Sequence, residues 1–219
     1  MQIKIGIIGT SDAVGKLMAI IKEFPTFRPV VREIGRAEEA PEHADALARE
    51  TEVLLVFGPA AHRLVKERTH VSVPVVQAPL TGAGLYKALF SAMKSGRLNG
   101  GISVDTLTKA MVTRTLRDLG LEDVRVTVYN GPAWASPEKL AAFHAQQAES
   151  GASALAVTGV AAAAELLAAR RIPVELLVPA EQDMIVALER ALLSTESRRN
   201  KEAQIVVGML AVDDFAGLV

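Results

Sequence analysis

Short apolar runs alternate with segments of helical periodicity along the whole chain, and this alternation constrains the fold more than any other feature. Eight apolar runs are predicted to be strands: Ile3–Ile8, Pro29–Ile34, Val53–Phe57, Val73–Ala78, Gly101–Val104, Val124–Tyr129, Ala154–Val157 and Pro173–Val178. Nearly continuous apolar strands that alternate with helices are typical of parallel sheets covered on both faces. We therefore predict an α/β fold.

The second half of the chain repeats the first. Val73-Pro74-Val75 is echoed by Ile172-Pro173-Val174, and at the same offset the helical stripe that contains Leu85 is matched by one that contains Met184. All α/β units resemble one another to some degree, but the constant spacing favours duplication. The repeat predicts two similar Rossmann-like lobes with parallel sheets, arranged as in periplasmic binding proteins.

Proline ends a strand at equivalent places in the two halves, which predicts chain crossovers at 79–84 and 179–183. Each lobe then takes its last helix from the other half of the chain. The expected division is residues 1–80 with 181–203 for the first lobe and 81–180 for the second. Residues 204–219 are left as the start of a following domain or as a terminal strand.

Composition narrows the function classes. The net charge is −1, and there is no basic stripe of the kind that nucleic-acid-binding domains carry. The one dense basic cluster, Arg198, Arg199 and Lys201, is interpreted as a solvated helix face. The absence of cysteine excludes disulfides, thiolate metal sites and cysteine nucleophiles. With no secretory signal and no apolar stretch of about 18 residues, we expect a cytoplasmic protein without a membrane segment.

Small and hydroxyl-bearing residues follow the carboxyl ends of the predicted strands, where open parallel sheets bind their ligands. Free backbone N–H groups and the helix dipole suit these places to carboxylate or phosphate groups. For any single residue of this kind, an ordinary helix cap is the favoured interpretation. Convergence from both halves favours a ligand site. The candidate ligand-binding residues are Thr10, Ser11, Gly58, Pro59, Ala60, Ser103, Asn130, Thr158 and Gly159.

Catalytic and metal-binding motifs are missing. The sequence has no dinucleotide fingerprint, no phosphate-binding loop and no G-x-S-x-G elbow. The four histidines, His43, His62, His70 and His144, are scattered, so we expect no metal, no cofactor and no catalytic residue. His62 could reach a cleft from its helix, although a surface position is favoured. Trp134 and Tyr129 either stack on a ligand or pack a loop.

Two stretches carry a family resemblance. Leu54-Leu55-Val56-Phe57-Gly58-Pro59-Ala60 is followed by Val71-Ser72-Val73-Pro74-Val75-Val76 and by Thr81-Gly82-Ala83-Gly84-Leu85-Tyr86-Lys87-Ala88-Leu89. Here, and again over 154–199, the chain resembles the N-terminal sensor domain of the propionate-catabolism activator type. The resemblance implies a two-lobed Rossmann-like domain that binds a small organic acid in its cleft and regulates an attached transcription module. That family commonly has Arg-Gly where this chain has Phe57-Gly58, and the change removes a bidentate carboxylate partner.

The end of the chain holds a ninth apolar run, Ile205–Leu210, followed by Ala211-Val212-Asp213-Asp214-Phe215. It is interpreted either as the first strand of a following domain, similar to a nucleotide-cyclase palm with metal-binding aspartates, or as a last strand of one of the two sheets. In both cases Ser194–Gln204 is a helical connector.

These features lead to one functional hypothesis and two alternatives. The chain is expected to be a sensing domain of a cytoplasmic transcriptional or signalling regulator that closes its lobes on a polar or anionic metabolite, and not an enzyme. Its expected partners are this effector, a DNA-binding or nucleotide-cyclase-like output domain in the same full-length chain, and a second copy in a homodimer. The alternatives are a two-lobed racemase or isomerase, whose usual paired cysteines are missing here, and a transporter's solute-binding protein.

Overall fold

The computed structural model describes residues 2–80, 82–132 and 134–216, with side chains as far as residue 201. The strands are β1 (Ile3–Gly9), β2 (Phe27–Glu33), β3 (Val53–Val56), β4 (Val75–Gln77), β5 (Ile102–Val104), β6 (Val126–Val128), β7 (Leu155–Thr158) and β8 (Val174–Leu176). The helices are α1 (Ser11–Ile20), α2 (Ala40–Ala48), α3 (Pro59–Arg68), α4 (Gly82–Lys94), α5 (Lys109–Asp118), α6 (Pro137–Glu149), α7 (Ala161–Ala169) and α8 (Glu181–Ala216). All eight predicted strands form, with ends moved by one or two residues.

The strands make two parallel four-stranded sheets with the same order, β2-β1-β3-β4 and β6-β5-β7-β8. The predicted α/β fold with two similar lobes is therefore confirmed. The sheet registers also fix which positions correspond. Val75 pairs with Leu54, and Val174 pairs with Ala156. Since Ile5 pairs with Val53 and Ile102 with Leu155, the same correspondence extends to the central strands.

Each sheet is covered by a helix that comes from the other half of the chain. Leu188 of α8 packs with Leu17 of α1 and Ile5 of β1, whereas Leu85 of α4 packs with Ile102 of β5. We call the first sheet with α1, α2, α3 and α8 the first lobe, and the second sheet with α4, α5, α6 and α7 the second lobe. The chain crosses between the lobes after β4 and again after β8.

The two crossing segments touch at Gly84. A Cβ atom at this position would lie 2.8 Å from the carbonyl oxygen of Val178, so only glycine permits this approach. Thr81, which belongs to the predicted first crossover, lies outside the described residues. The exact lobe boundaries at 80/81 and 180/181 stay predictions.

The predicted strand at Ile205–Leu210 is wrong, because the backbone of α8 continues through it to Ala216. A short apolar run without a preceding proline or turn signal fits the two-residue period of a strand and the 3.6-residue period of a helix equally well. Here it extends an existing helix. Residues 217–219 lie outside the described part of the chain, and so do the side chains of the aspartates at 213 and 214. Upstream in α8, the expected solvated Arg199 bonds Glu52, with 3.0 Å between Nε and Oε2. No helix among the described residues is long and apolar enough to cross a bilayer.

Candidate functional site: the cleft between the lobes

A cleft of about 640 Å³ opens between the lobes, at the carboxyl ends of strands from both sheets. This volume lies in the range of small-molecule sites. The first lobe contributes most of its lining through α3, the end of β4 and one residue of α8. The second lobe contributes the segment after β5 and the loop after β6. The lining residues are Pro59, His62, Arg63, Lys66, Glu67, Gln77, Pro79, Leu80, Thr106, Trp134 and Arg190.

Cationic side chains dominate the first-lobe wall. Arg63 and Lys66 project from α3, and Arg190 joins them from α8. Glu67 is the carboxylate in the described lining, and both of its oxygens accept hydrogen bonds from Arg63 Nη1 at 2.9 Å. Three permanent cations against one carboxylate leave the cleft with a positive excess, which favours an anionic ligand.

His62 is half-buried in the same wall. Burial lowers the pKa of its imidazole, and the neighbouring Lys66 ammonium lowers it further, while a hydrogen bond with the backbone of Val75 opposes both effects. The imidazole is therefore neutral at neutral pH. The favoured expectation of a surface histidine is wrong, because the preceding turn of α3 directs His62 into the cleft.

Trp134 links the two lobes across the cleft. The guanidinium carbon of Arg63 lies 5.2 Å from the centre of the Trp134 ring, within the range of a cation–π contact. Trp134 is 46% exposed and is available to a ligand. Tyr129 instead packs edge-on against Phe143, with ring centres 5.3 Å apart. Trp134 therefore lines the cleft, whereas Tyr129 packs within the second lobe.

Two residues that line this cleft each carry a buried polar atom without a partner. Among the side chains that the structure describes, Arg63 Nε and Thr106 Oγ1 are the buried nitrogen and oxygen atoms that make no hydrogen bond. Both residues line the cleft, one from each lobe. Thr106 also has a φ of 55°, a left-handed conformation that β-branched residues rarely adopt.

Behind Thr106 lies a polar network that is completely enclosed by the second lobe. His144 of α6 bonds Ser103 through Nδ1 at 2.8 Å and Asp105 through Nε2 at 3.1 Å. Asp105 also accepts the Thr158 hydroxyl at 2.6 Å and the Gly159 backbone N–H at 3.0 Å. The network reaches the cleft wall because Thr106 directly follows Asp105.

One set of donor and acceptor roles satisfies this network. Ser153 donates to Ser103 Oγ at 3.1 Å, so the Ser103 hydroxyl is free to donate to His144 Nδ1. His144 then carries its proton on Nε2 and donates it to the Asp105 carboxylate. Although serine, histidine and aspartate are in contact, Ser103 is 0% exposed, and a substrate cannot reach its hydroxyl in this conformation. The network is structural and not a hydrolytic triad.

The nine candidate residues are distributed over three environments. Pro59 lines the cleft, and Gly58 and Ala60 flank it at the start of α3. Ser103 and Thr158 are buried in the network, and Gly159 contributes its N–H to it. The remaining residues, Thr10, Ser11 and Asn130, are exposed outside the cleft lining. A direct ligand contact by any of the nine stays a prediction.

Sequence reasoning missed the α3 cations and the partner of Ser103. His62, Arg63 and Lys66 follow an i, i+1, i+4 spacing that places them on one helix face directly after a strand end, and this pattern could have been recognised. His144 lies 41 residues from Ser103, and no local pattern connects them. No group of three or more metal-ligating side chains occurs among the described residues.

Comparison with solved structures finds the same fold in another protein. The chain superimposes on an NtrC-family transcriptional regulator from Clostridium acetobutylicum with a TM-score of 0.69 and 16% identity, over 90% of this chain and 99% of that one. Transcription regulator CcpA of Lactococcus lactis gives 0.49 and 12%, over 90% and 92%. An aspartate racemase homologue from Pyrococcus horikoshii gives 0.36 and 18%, over 86% and 98%. No family model and no curated protein sequence matches the chain.

Proposed function

We propose that this chain is the effector-sensing domain of a cytoplasmic transcriptional or signalling regulator, and that a small anionic metabolite binds between its lobes. The observation that carries the proposal is the cleft itself, which both lobes build and which holds Arg63, Lys66 and Arg190 against a single paired carboxylate. The fold shared with the Clostridium regulator supports the same context.

Sensing requires that the ligand bind a closed arrangement of the lobes more tightly than an open one. Each factor of ten in this preference corresponds to about 1.4 kcal/mol. Helix α8 is suited to transmit the closure, because Met184, Leu188 and Ala191 anchor it in the first-lobe core while Arg190 enters the cleft. An output domain in the same full-length chain and a homodimer complete the proposal.

A racemase or isomerase would need an acid or base on each side of its substrate. In the described lining, the second lobe supplies Thr106 and Trp134, neither of which titrates near neutral pH. The buried His144 and Asp105 are already engaged with each other. The cleft chemistry therefore supports a binding domain more than an enzyme.

Native mass spectrometry of freshly purified protein tests this function. We expect a small molecule to co-purify with the chain and to be lost in Lys66→Gln. The control Lys22→Gln removes the same charge at an exposed site outside the cleft and should retain the molecule. If wild-type protein carries no small molecule, and no metabolite anion raises its melting temperature, the sensing function is wrong.

A further inference from the structure

Unpartnered buried polar atoms are rare in folded proteins, and here two of them lie in walls of one cleft. Arg63 Nε belongs to the first lobe and Thr106 Oγ1 to the second. Neither atom has a partner among the described side chains. Their shared location suggests that a group of the ligand completes both sets of hydrogen bonds at once.

The hydrogen-bonding capacity of Arg63 determines which kind of ligand group can bind to it. A guanidinium is a planar fork of five N–H donors without an acceptor, so its partner must be an acceptor. Arg63 Nη1 already donates to Glu67, and the Trp134 ring limits the orientation of the guanidinium plane. The Nε–H remains to be used. A ligand oxyanion is the acceptor that this donor prefers, since charge-assisted bonds of guanidinium groups are shorter and stronger than neutral ones.

Thr106 is held in place on the second-lobe side of the cleft. The Asp105 carboxylate binds the N–H of Gly159, and a Cβ atom at Gly159 would lie only 2.4 Å from Thr106 Oγ1. The left-handed backbone of Thr106 is sterically unfavourable for a β-branched residue, and strain of this kind concentrates at ligand sites. The close packing against Gly159 thus restricts where the Thr106 side chain can lie.

The first lobe shows that the fold itself does not need the network behind Thr106. By the sheet registers, Ser103, Asp105 and Thr158 correspond to Gly6, Ile8 and Val56. The Ile8 and Val56 positions belong to an apolar cluster in the first lobe. The same architecture therefore forms with an apolar layer at these positions. The polar layer in the second lobe is explained by its attachment to the cleft wall.

We propose that Arg63 Nε and Thr106 Oγ1, both buried in the conformation described, are uncovered when the lobes move on the effector and then form an oxyanion subsite shared by the two lobes, which binds a carboxylate or phosphate group. Asp105 acts as its positioning residue through Gly159. The proposal rests on the proposed function and adds the chemical class of the ligand and the two atoms that recognise it. An oxyanion bound to both atoms would also hold the lobes together.

Trp134 provides the readout, because it is the single tryptophan of the chain and lies in the cleft. Inorganic phosphate, succinate and the uncharged succinamide are titrated separately at constant ionic strength while tryptophan fluorescence is recorded. We expect a saturable change with at least one oxyanion and none with succinamide. A response to phosphate alone assigns a phosphoryl group, and a response to succinate assigns a carboxylate.

Matched variants assign the response to the two atoms. Thr106→Val keeps the shape of the side chain without the hydroxyl and should weaken binding about fivefold, which corresponds to about 1 kcal/mol. Thr106→Ser retains the hydroxyl and should bind like wild type. Arg63→Lys keeps the charge without the Nε–H and should weaken binding about tenfold. Arg68→Gln removes a charge from the same helix outside the cleft and should have no effect.

Circular dichroism melts establish that each variant is folded. Wild-type oxyanion affinity in both Thr106→Val and Arg63→Lys would overturn the subsite while leaving the proposed function intact. The absence of any fluorescence response to phosphate and succinate would also overturn it, and so would a co-purified ligand without a carboxylate or phosphate group. Failure of the sensing function itself is recognised separately, by wild-type protein that neither carries nor is stabilised by a small molecule.

Discussion

Asp105→Ala removes the acceptor on which most of the second-lobe polar network converges. The Asp105 carboxylate is 0% exposed. It accepts hydrogen bonds from His144 Nε2 at 3.1 Å, from Thr158 Oγ1 at 2.6 Å and from Gly159 N at 3.0 Å. Truncation to alanine leaves the donors of His144 and Thr158 buried without their acceptor and removes the partner of the partly buried Gly159 N–H.

The free-energy cost follows from these three bonds. A buried polar group left without a partner costs about 1–3 kcal/mol. Rotation of the Thr158 hydroxyl and small shifts of His144 relieve part of this penalty, whereas the Gly159 N–H is fixed by the backbone. We expect a loss of about 3–5 kcal/mol, which corresponds to about two such penalties after this partial relief. This is a large share of a typical total stability of about 5–15 kcal/mol.

Urea unfolding followed by far-ultraviolet circular dichroism measures the loss. Asp12→Ala is the matched control, because Asp12 makes a surface pair with Lys16 and its side chain is 65% exposed. The control should change the free energy of unfolding by no more than about 0.5 kcal/mol. If Asp105→Ala costs less than about 1 kcal/mol, the network does not stabilise the second lobe, and its role in holding the cleft wall is refuted.

Three further outcomes are expected. Gly159→Val should weaken oxyanion binding in the fluorescence titration far more than Ser11→Ala, because its Cβ would lie 2.4 Å from Thr106 Oγ1; a folded valine variant with wild-type affinity would contradict this. Leu188→Ala should lower the free energy of unfolding in urea by about 2–5 kcal/mol, and a change below about 1 kcal/mol would mean that α8 does not complete the first-lobe core. Because the folded-state pKa of His62 lies below its unfolded value, the unfolded chain binds more protons between the two, and stability falls as pH drops through about 6.5 towards the folded pKa. His62→Gln should flatten this part of the slope in melts between about pH 5 and 8, and an unchanged slope would exclude the effect.

The fold could be predicted because its signals are local and repeated. Each strand is an apolar run short enough to exclude a long helix, and the echo of Val75 by Val174 indicates duplication before any contact is known. The end of the chain could not be assigned in the same way. Ile205–Leu210 continues α8 without a break, and an apolar run of this length has the same appearance in a strand and in a buried helix.

The cleft was predictable only in its location. Strand ends at Gly58 and Thr158 mark where ligands of parallel sheets bind, and the cleft opens at this level. Which side chains enter the cleft depends on helix orientation and on contacts between distant parts of the chain. Ser103 resembles an ordinary cleft hydroxyl in the sequence, but His144 from α6 draws it into a buried network.

The comparison of the two lobes explains why this network persists. Ile8 and Val56 show that an apolar layer is compatible with this sheet order, and apolar replacements of buried polar groups are often neutral or stabilising. A polar layer at the corresponding Asp105 and Thr158 is therefore not required by folding alone. It does hold the backbone next to Thr106, which lines the cleft together with Arg63 of the first lobe. In the proposed subsite, the first lobe would supply the charged donor of Arg63 and the second lobe the neutral hydroxyl of Thr106.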